Sequence, residues 1–187
     1  MMEIVWVDVD KCHPNDFNPN VMNPEKFEAL CDFMRTHSAE EVDPIWVRHD
    51  GADGFEIVDG EHRWRAAKTV GWKRLRAFVL DMDRDDAKAF NVRKNRERGQ
   101  LDAIKFGKIL YEEHKAGATL EELAKKYGYA DIRSIEYYLT IYKNRDKILK
   151  AVGTAVPTAI TYGKARKILR ELKRRKNGMV EGNRIDA

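Results

Sequence analysis

The sequence predicts an α+β protein, a small mixed-sheet module followed by an all-helical one, dividing near residue 99. Three observations point there. Over the first 80 residues, short alternating apolar runs are interleaved with helical spacings. After Asp81 every apolar pattern has the helical period. The change is marked by a helix end at Gly99 rather than by a flexible linker. The expected division is therefore 1–99, 100–176 and a polar tail at 177–187. A chain of 187 residues has room for two small domains, and 43% apolar residues argue for a packed core over global disorder.

Residues 4–9 alternate apolar and polar side chains, as a half-buried strand does. Asn15-Asp16, Asn18-Pro19-Asn20 and Asn23-Pro24 form a turn-rich loop. Asn23 is placed to cap a helix entering at Pro24, with Phe27, Leu30, Cys31 and Met34 at helical spacing. Residues 45–47 and 55–58 read as paired strands, 61–70 as a helix ending at Gly71, and 75–80 as another strand. Helices are then expected over 84–98, 101–115, 120–127, 132–141 and 157–175. Thr119 and Glu122 have capping-box spacing at the start of the third of these.

Lys and Arg total 35 against 31 Asp and Glu, a net charge of +4 that permits nucleic-acid binding without demanding it. No apolar run approaches a membrane span, and MMEIVWVDVD lacks the basic and long apolar regions of a signal peptide. A cytoplasmic protein with no membrane partner is expected. Cys12 and Cys31 lack metal-ligand spacing and read as buried thiols. His13, His37, His49 and His114 are scattered, as surface histidines are. Trp46, Trp64 and Trp72 are expected in the α/β core, with Trp64 alternatively flanking a bound base.

Ile57-Val58-Asp59-Gly60-Glu61-His62-Arg63-Trp64-Arg65-Ala66 is the most informative stretch. A strand ends, glycine turns the chain, and a helix opens with charges in its first turn. A helix N-terminus presents backbone N–H groups and the positive end of the macrodipole, which suits an anion. His62, Arg63 and Arg65 add donors for phosphate oxygens, while Asp59 and Glu61 are candidate metal-holding and catalytic carboxylates. The competing reading is a structural corner whose charges are solvated.

The second constellation is Thr119 to Gly128 followed by 132–139, which has helix-turn-helix form. Ala124 is small where helices cross, and Gly128 ends the first helix. On the second helix Arg133, Ser134 and Tyr137, with Tyr138, are candidates to meet DNA, and Lys125 and Lys126 suit phosphate contact. Glu136 counts against DNA, and an ordinary helical hairpin remains the competing reading. The basic run Lys164, Arg166, Lys167, Arg170, Lys173, Arg174, Arg175 and Lys176 adds an electrostatic footprint, or is a solvated face.

The order of strand, polar loop, helix, Asp43-Pro44-Ile45-Trp46-Val47-Arg48, Gly60-Glu61-His62-Arg63-Trp64-Arg65-Ala66 and helix-turn-helix resembles the ParB-like proteins of the ParB/sulfiredoxin superfamily. The resemblance covers about residues 3–145, and the motif at 60–66 is close to the family's Gly-Glu-Arg-Arg-x-Arg-Ala signature. It implies a ParB/sulfiredoxin-like nucleotide-binding domain that takes CTP with magnesium, and a helical domain that binds double-stranded DNA in partition or transcriptional regulation. Carried over, Gly60, Glu61, His62 and Arg63 would line the triphosphate pocket, with Arg48 beside it and Asn95 helping Glu61 to hold Mg2+. CTP hydrolysis and a clamp-like homodimer coupled to DNA would follow.

Three departures stand out. Lys94 replaces the family's Glu before Asn95, so a cation that can neutralise phosphate stands where metal-assisted hydrolysis has an acid. His62 replaces the second arginine of the signature, a weaker and pH-dependent donor. No separate dimerisation domain, of the kind chromosomal ParB proteins carry, is evident after the helical module. The pattern around Asp59 is also similar to the superfamily's free-serine kinases, in which Asp16 and Asp59 would supply the acidic pair. Sulfiredoxin chemistry is disfavoured because Glu61 stands where that motif has cysteine. A DNA-binding regulator with a vestigial pocket is the third reading.

Overall fold

A computed structural model describes residues 3–20, 22–51, 53–99, 101–153 and 159–182, with side chains to 175. The chain separates into two compact units, Met1–Asn18 with Met22–Glu97, and Pro19–Val21 with Arg98–Ala187.

In the first unit, β1 (Ile4–Asp8), β2 (Cys12–Pro14), β3 (Ile45–His49), β4 (Phe55–Asp59) and β5 (Arg74–Leu80) form one sheet in the order β1-β5-β3-β4-β2. Pairing is antiparallel for β1/β5 and β3/β4 and parallel for β5/β3 and β4/β2. Alternation of side chains gives the sheet two faces. On one, Val7, Ile45, Val47, Ile57, Leu75 and Ala77 pack with Cys31 and Met34 of α1 (Pro24–Thr36) and Trp64, Ala66 and Ala67 of α2 (Glu61–Val70). Each such aliphatic side chain contributes roughly 1.5–3 kcal/mol when fully buried. On the other, α3 (Arg84–Glu97) sets Phe90 against Trp46, which also meets Phe78.

Local chemistry sets the boundaries. Asn23 caps α1, its side-chain oxygen accepting from the Lys26 N–H at 2.9 Å, with Pro24 at the first helical position. Gly71 ends α2 in the left-handed conformation at φ +83. Trp64 lies in the core and donates its indole N–H to the Val9 carbonyl at 2.9 Å, so it does not flank a base. The β3/β4 ladder changes register between Trp46 and Val47: Trp46 faces Asp59 and Val47 faces Ile57, leaving Val58 without a partner opposite. Such a bulge re-aims the end of a strand.

The second unit is helical: α4 (Ala103–Lys115), α5 (Leu120–Tyr127), α6 (Ile132–Lys143), α7 (Arg145–Val152) and α8 (Tyr162–Gly182). Buried Phe106 meets Tyr127 and Tyr138 edge-on, at 5.1 and 4.8 Å between centroids. Asp102 caps α4 with one carboxylate oxygen on the Ile104 and Lys105 N–H groups, and its other oxygen accepts from the Ile160 N–H at 2.8 Å. Gly107 lets α4 and α6 cross closely, since a Cβ there would come within 2.6 Å of the Tyr138 carbonyl oxygen.

Several expectations need correction. Strand β2 was not expected, because three residues show no usable periodicity, and its pairing partner β4 is distant in sequence. Helix α7 was not expected either; Asn144 both ends α6 and opens α7, so no breaker separates them. The helix starting by Asp102 begins two residues later than expected because Asp102 is its cap. The C-terminal helix begins at Tyr162, and its backbone stays helical through Gly182 where a frayed tail was expected. Asn177 and Gly178 disfavour helix by at most about 1 kcal/mol each, too little to break one already propagating. Pro157 and residues 183–187 lie outside the described residues.

Candidate functional site

Two regions carry the residues singled out by the sequence. The first is the β4–α2 corner. Gly60 precedes α2 with φ +96, a conformation that L side chains avoid, and a Cβ there would stand 2.7 Å from Ile45 Cγ2 and 2.9 Å from Arg63 Nη2. With no side chain at this position, no side-chain cap closes the helix N-terminus. The first turn therefore keeps the anion-favouring end of the helix beside Glu61, His62 and Arg63.

The corner's charges are held by ion pairs. Arg65 meets Glu61 at 2.5 Å and Arg63 meets Asp59 at 3.5 Å, both at i,i+4. Arg63 also donates to the Asp43 and Pro44 carbonyls, each at 2.8 Å, fastening α2 to the start of β3. Asp59 is buried. Arg65 and Glu61 differ in reach: the guanidinium is 56% exposed, the carboxylate 11%. Arg65 can thus turn to an incoming anion more readily than Arg63.

A cluster of three asparagines backs this corner. Asn18 donates to Glu61 Oε2 at 2.8 Å and accepts from Asn95 Nδ2 at 3.4 Å. Asn95 Nδ2 also donates to the Asn91 carbonyl and side-chain oxygens. Asn91 in turn donates to the Val58 carbonyl at 2.5 Å, satisfying the strand residue that the register change leaves unpartnered. Asn91 and Asn95 are fully buried, and Asn95 Oδ1 has no hydrogen-bond partner among the described residues. A buried amide oxygen left unsatisfied costs about 1–3 kcal/mol.

Glu61 and Asn95, expected to act together, are joined here through Asn18, which the sequence shows only as a turn residue. The available signal was the i,i+4 pair Asn91 and Asn95 on the Ala87–Val92 face of α3, polar where a helix buries apolar residues. Arg48 belongs to a different network. It donates to buried Glu56 at 2.6 Å, and Glu56 also meets Arg84, which pairs with exposed Asp16 at 2.5 Å. Asp16 and Asp59 thus hold separate cationic partners. Lys94 stands over the rings of Trp46 and Phe90 at 5.0 and 5.6 Å.

The second region is the helical hairpin. Thr119 and Glu122 form the expected capping box, and Gly128 closes α5 at φ +71. Asp131 caps α6, accepting from the Arg133 N–H and pairing with its guanidinium at 2.7 Å. These contacts, the backbone one foremost, hold the Asp131 carboxyl below its usual range. The Arg133 side chain is 84% exposed at the N-terminal end of α6, where a recognition helix meets base edges. Ser134 beside it is half-buried, and Lys125 is exposed. Lys126 is engaged differently, pairing with Glu113, which also accepts from the Tyr127 hydroxyl. Tyr137 lies against Tyr162 and Arg166 of α8.

A family model, described as the ParB N-terminal domain, matches residues 1–96. The chain belongs to this ParB family. The nucleoid occlusion protein of Oceanobacillus iheyensis is 33% identical over 132 residues, covering 67% of this chain and 44% of its own length. The chain thus spans less than half of that relative. Among solved structures, C-terminally truncated ParB from Caulobacter crescentus complexed to the centromeric parS site overlays with a TM-score of 0.52 at 23% identity. It covers 88% of this chain and 83% of the other, a likeness of fold. The same Caulobacter protein complexed with CTP-gamma-S gives a TM-score of 0.46 at 23% identity, covering 88% and 91%. Among the described residues no helix is long and apolar enough to cross a membrane, and no group of three His, Cys, Asp or Glu is arranged to hold a metal ion.

Proposed function

We propose that this ParB-family chain is a nucleotide-responsive binder of double-stranded DNA, serving partition or nucleoid organisation. The first unit takes a nucleoside triphosphate, CTP foremost, and the helix-turn-helix takes DNA. The observation that carries the nucleotide half is the corner. Gly60 leaves the start of α2 open to an anion, with Glu61, His62 and Arg65 beside it and the partnerless Asn95 oxygen buried behind. Glu61 and Asn95 offer one carboxylate and one amide oxygen. A magnesium ion, which keeps few protein ligands and shares phosphate oxygens, would need the Glu61 carboxylate released from Arg65 and Asn18, and bound there it would neutralise phosphate charge. Arg133 and Lys125 support the DNA half by their exposure, and half-buried Ser134 by its place at the hairpin.

The test is a magnesium-dependent panel of CTP, ATP, GTP, UTP and ADP, measured by calorimetry with and without mixed genomic DNA. Selective CTP binding that Asn95→Ala abolishes is the expected result. Equal affinity for every nucleotide, or none for any, overturns the pocket. In the kinase reading, Asp16 and Asp59 would first have to be released from their cationic partners Arg84 and Arg63.

A further inference from the structure

The helical unit has a concave surface. It begins at Tyr137 and follows the C-terminal half of α6 past Thr140 and Asn144, with α8 forming the opposite wall, as an open groove of about 640 Å³. We infer that this groove is a docking surface for an acidic amphipathic segment of a partner protein. Its floor is apolar, from Leu169, Leu172 and the Tyr137 ring. Its rim is cationic, with Lys147 on α7 and Arg166, Arg170 and Lys173 on α8. None of these four cations is paired with a carboxylate among the described residues, and no acid lines the groove.

The pattern is written along one helix stripe. Arg166, Leu169, Arg170 and Lys173 stand at i, i+3, i+4 and i+7, so three cations and a leucine share a single face. The stripe is about 10 Å long, which matches two turns of a partner helix. Tyr137 reports the same environment. Burial pushes its phenol up, against the opposing pull of Arg166, while Tyr162 adds to the rise and Arg170 opposes it. The Arg166 guanidinium lies 5.7 Å from the ring centre. A solvated basic face would need no apolar floor. A DNA backbone would satisfy the rim, yet phosphates and sugars would leave Leu169 and Leu172 uncovered. A segment with leucines flanked by Asp or Glu answers both parts of the groove at once.

The experiment uses the full chain and a fluorescein-labelled helical peptide of roughly 14 residues, with leucines at i, i+3, i+4 and i+7 and glutamates elsewhere. The controls are the same peptide with serine for leucine, and a random-sequence DNA duplex. Anisotropy at about 0.1 M salt should show saturable binding of the leucine peptide. Binding should weaken by about tenfold in Arg170→Glu, a charge reversal at the rim. Lys150→Glu, exposed on α7 outside the groove, should bind as the parent does. Both variants should melt with the parent chain, separating lost binding from lost folding. Equal affinity for the serine peptide reduces the site to bulk charge and overturns the inference. It fails equally if Arg170→Glu impairs duplex binding while leaving the peptide untouched, or if sedimentation shows that Arg170→Glu abolishes self-association of the chain, which would make a second copy the occupant.

Discussion

Replacing Gly60 with alanine tests the corner through stability before any ligand is added. Two separable penalties are expected. An L residue at φ +96 is in left-handed space, at a cost of about 1–2 kcal/mol. The new methyl would also stand 2.7 Å from Ile45 Cγ2, in a fully buried side chain that cannot swing away, and such overpacking costs about 1–3 kcal/mol. Together Gly60→Ala should lose about 2–5 kcal/mol, or roughly 10–30 °C in the melting of a unit this size. Gly71 is the internal control, with φ +83 and nothing within 4 Å of the place a methyl would take, so Gly71→Ala should lose only the first part, about 1–2 kcal/mol. The readout is specific because all four tryptophans, Trp6, Trp46, Trp64 and Trp72, belong to the first unit. Their fluorescence in urea follows that unit alone, which matters in a chain whose two units need not unfold together. Equal losses in the two variants would show that Ile45 yields, and that Gly60 is required for its dihedral and not for close approach. No loss in either would refute the reasoning outright.

Gly107→Ala gives a prediction whose sign decides between two effects: helix propensity alone stabilises by about 1 kcal/mol, whereas the clash with the Tyr138 carbonyl predicts a loss of about 1–3 kcal/mol by circular dichroism melts. Asn91→Ala leaves the Val58 carbonyl buried without its donor and should cost about 1–3 kcal/mol in tryptophan-detected unfolding; an unchanged midpoint would mean that the bulge is satisfied by water. Burial, then Asp8, pushes the Cys12 thiol up from 9.0 to about 11. The neutral thiol is therefore favoured in the folded state, and its stabilisation is complete below pH 9.0 and lost as pH rises to about 11. Cys12→Ala should flatten that alkaline decline, and a decline of unchanged steepness excludes the thiol as its source. In the hairpin, Arg133→Ala should weaken specific DNA binding by about 1–3 kcal/mol and relax the site preference, while Lys125→Ala should weaken all sequences alike and reduce the salt dependence by about one ion; an unchanged preference removes Arg133 from readout.

The fold class is legible in the sequence because both periods are present at full strength. Residues 4–8 alternate against the α1/α2 core, and Phe27, Leu30, Cys31 and Met34 repeat at helical spacing on the helix that covers it. Caps and stops are legible for the same local reason. Asn23, Thr119, Gly71 and Gly128 act on backbone groups within four residues of themselves, so their chemistry needs no tertiary context. Strand β2 is not legible, because its pairing with β4 lies some 40 residues away and three residues cannot display a period.

The candidate site divides along the same line. Gly60, Glu61, His62, Arg63 and Arg65 are contiguous, and a motif can display them. Asn18 and Asn91 reach the corner only through folding, one from a loop that resembles any turn and the other from mid-helix. Tertiary context also reassigns side chains whose chemistry fits a motif. Arg48 and Arg63 have the right charge for phosphate, yet one is held by Glu56 and the other by two carbonyls and Asp59. Lys94 is the sharpest case, since its position next to Asn95 suggests a phosphate partner. In the fold its ammonium lies over Trp46 and Phe90, an attraction of about 0.5–2 kcal/mol that phosphate would have to exceed. Consecutive helical residues point about 100° apart, so Asn95 can be buried beside Asn18 while Lys94 covers an aromatic pair. Lys94→Met should therefore leave nucleotide affinity nearly unchanged in the calorimetric panel, while Asn95→Ala abolishes it. A large loss in Lys94→Met would show the lysine leaving the rings for the ligand.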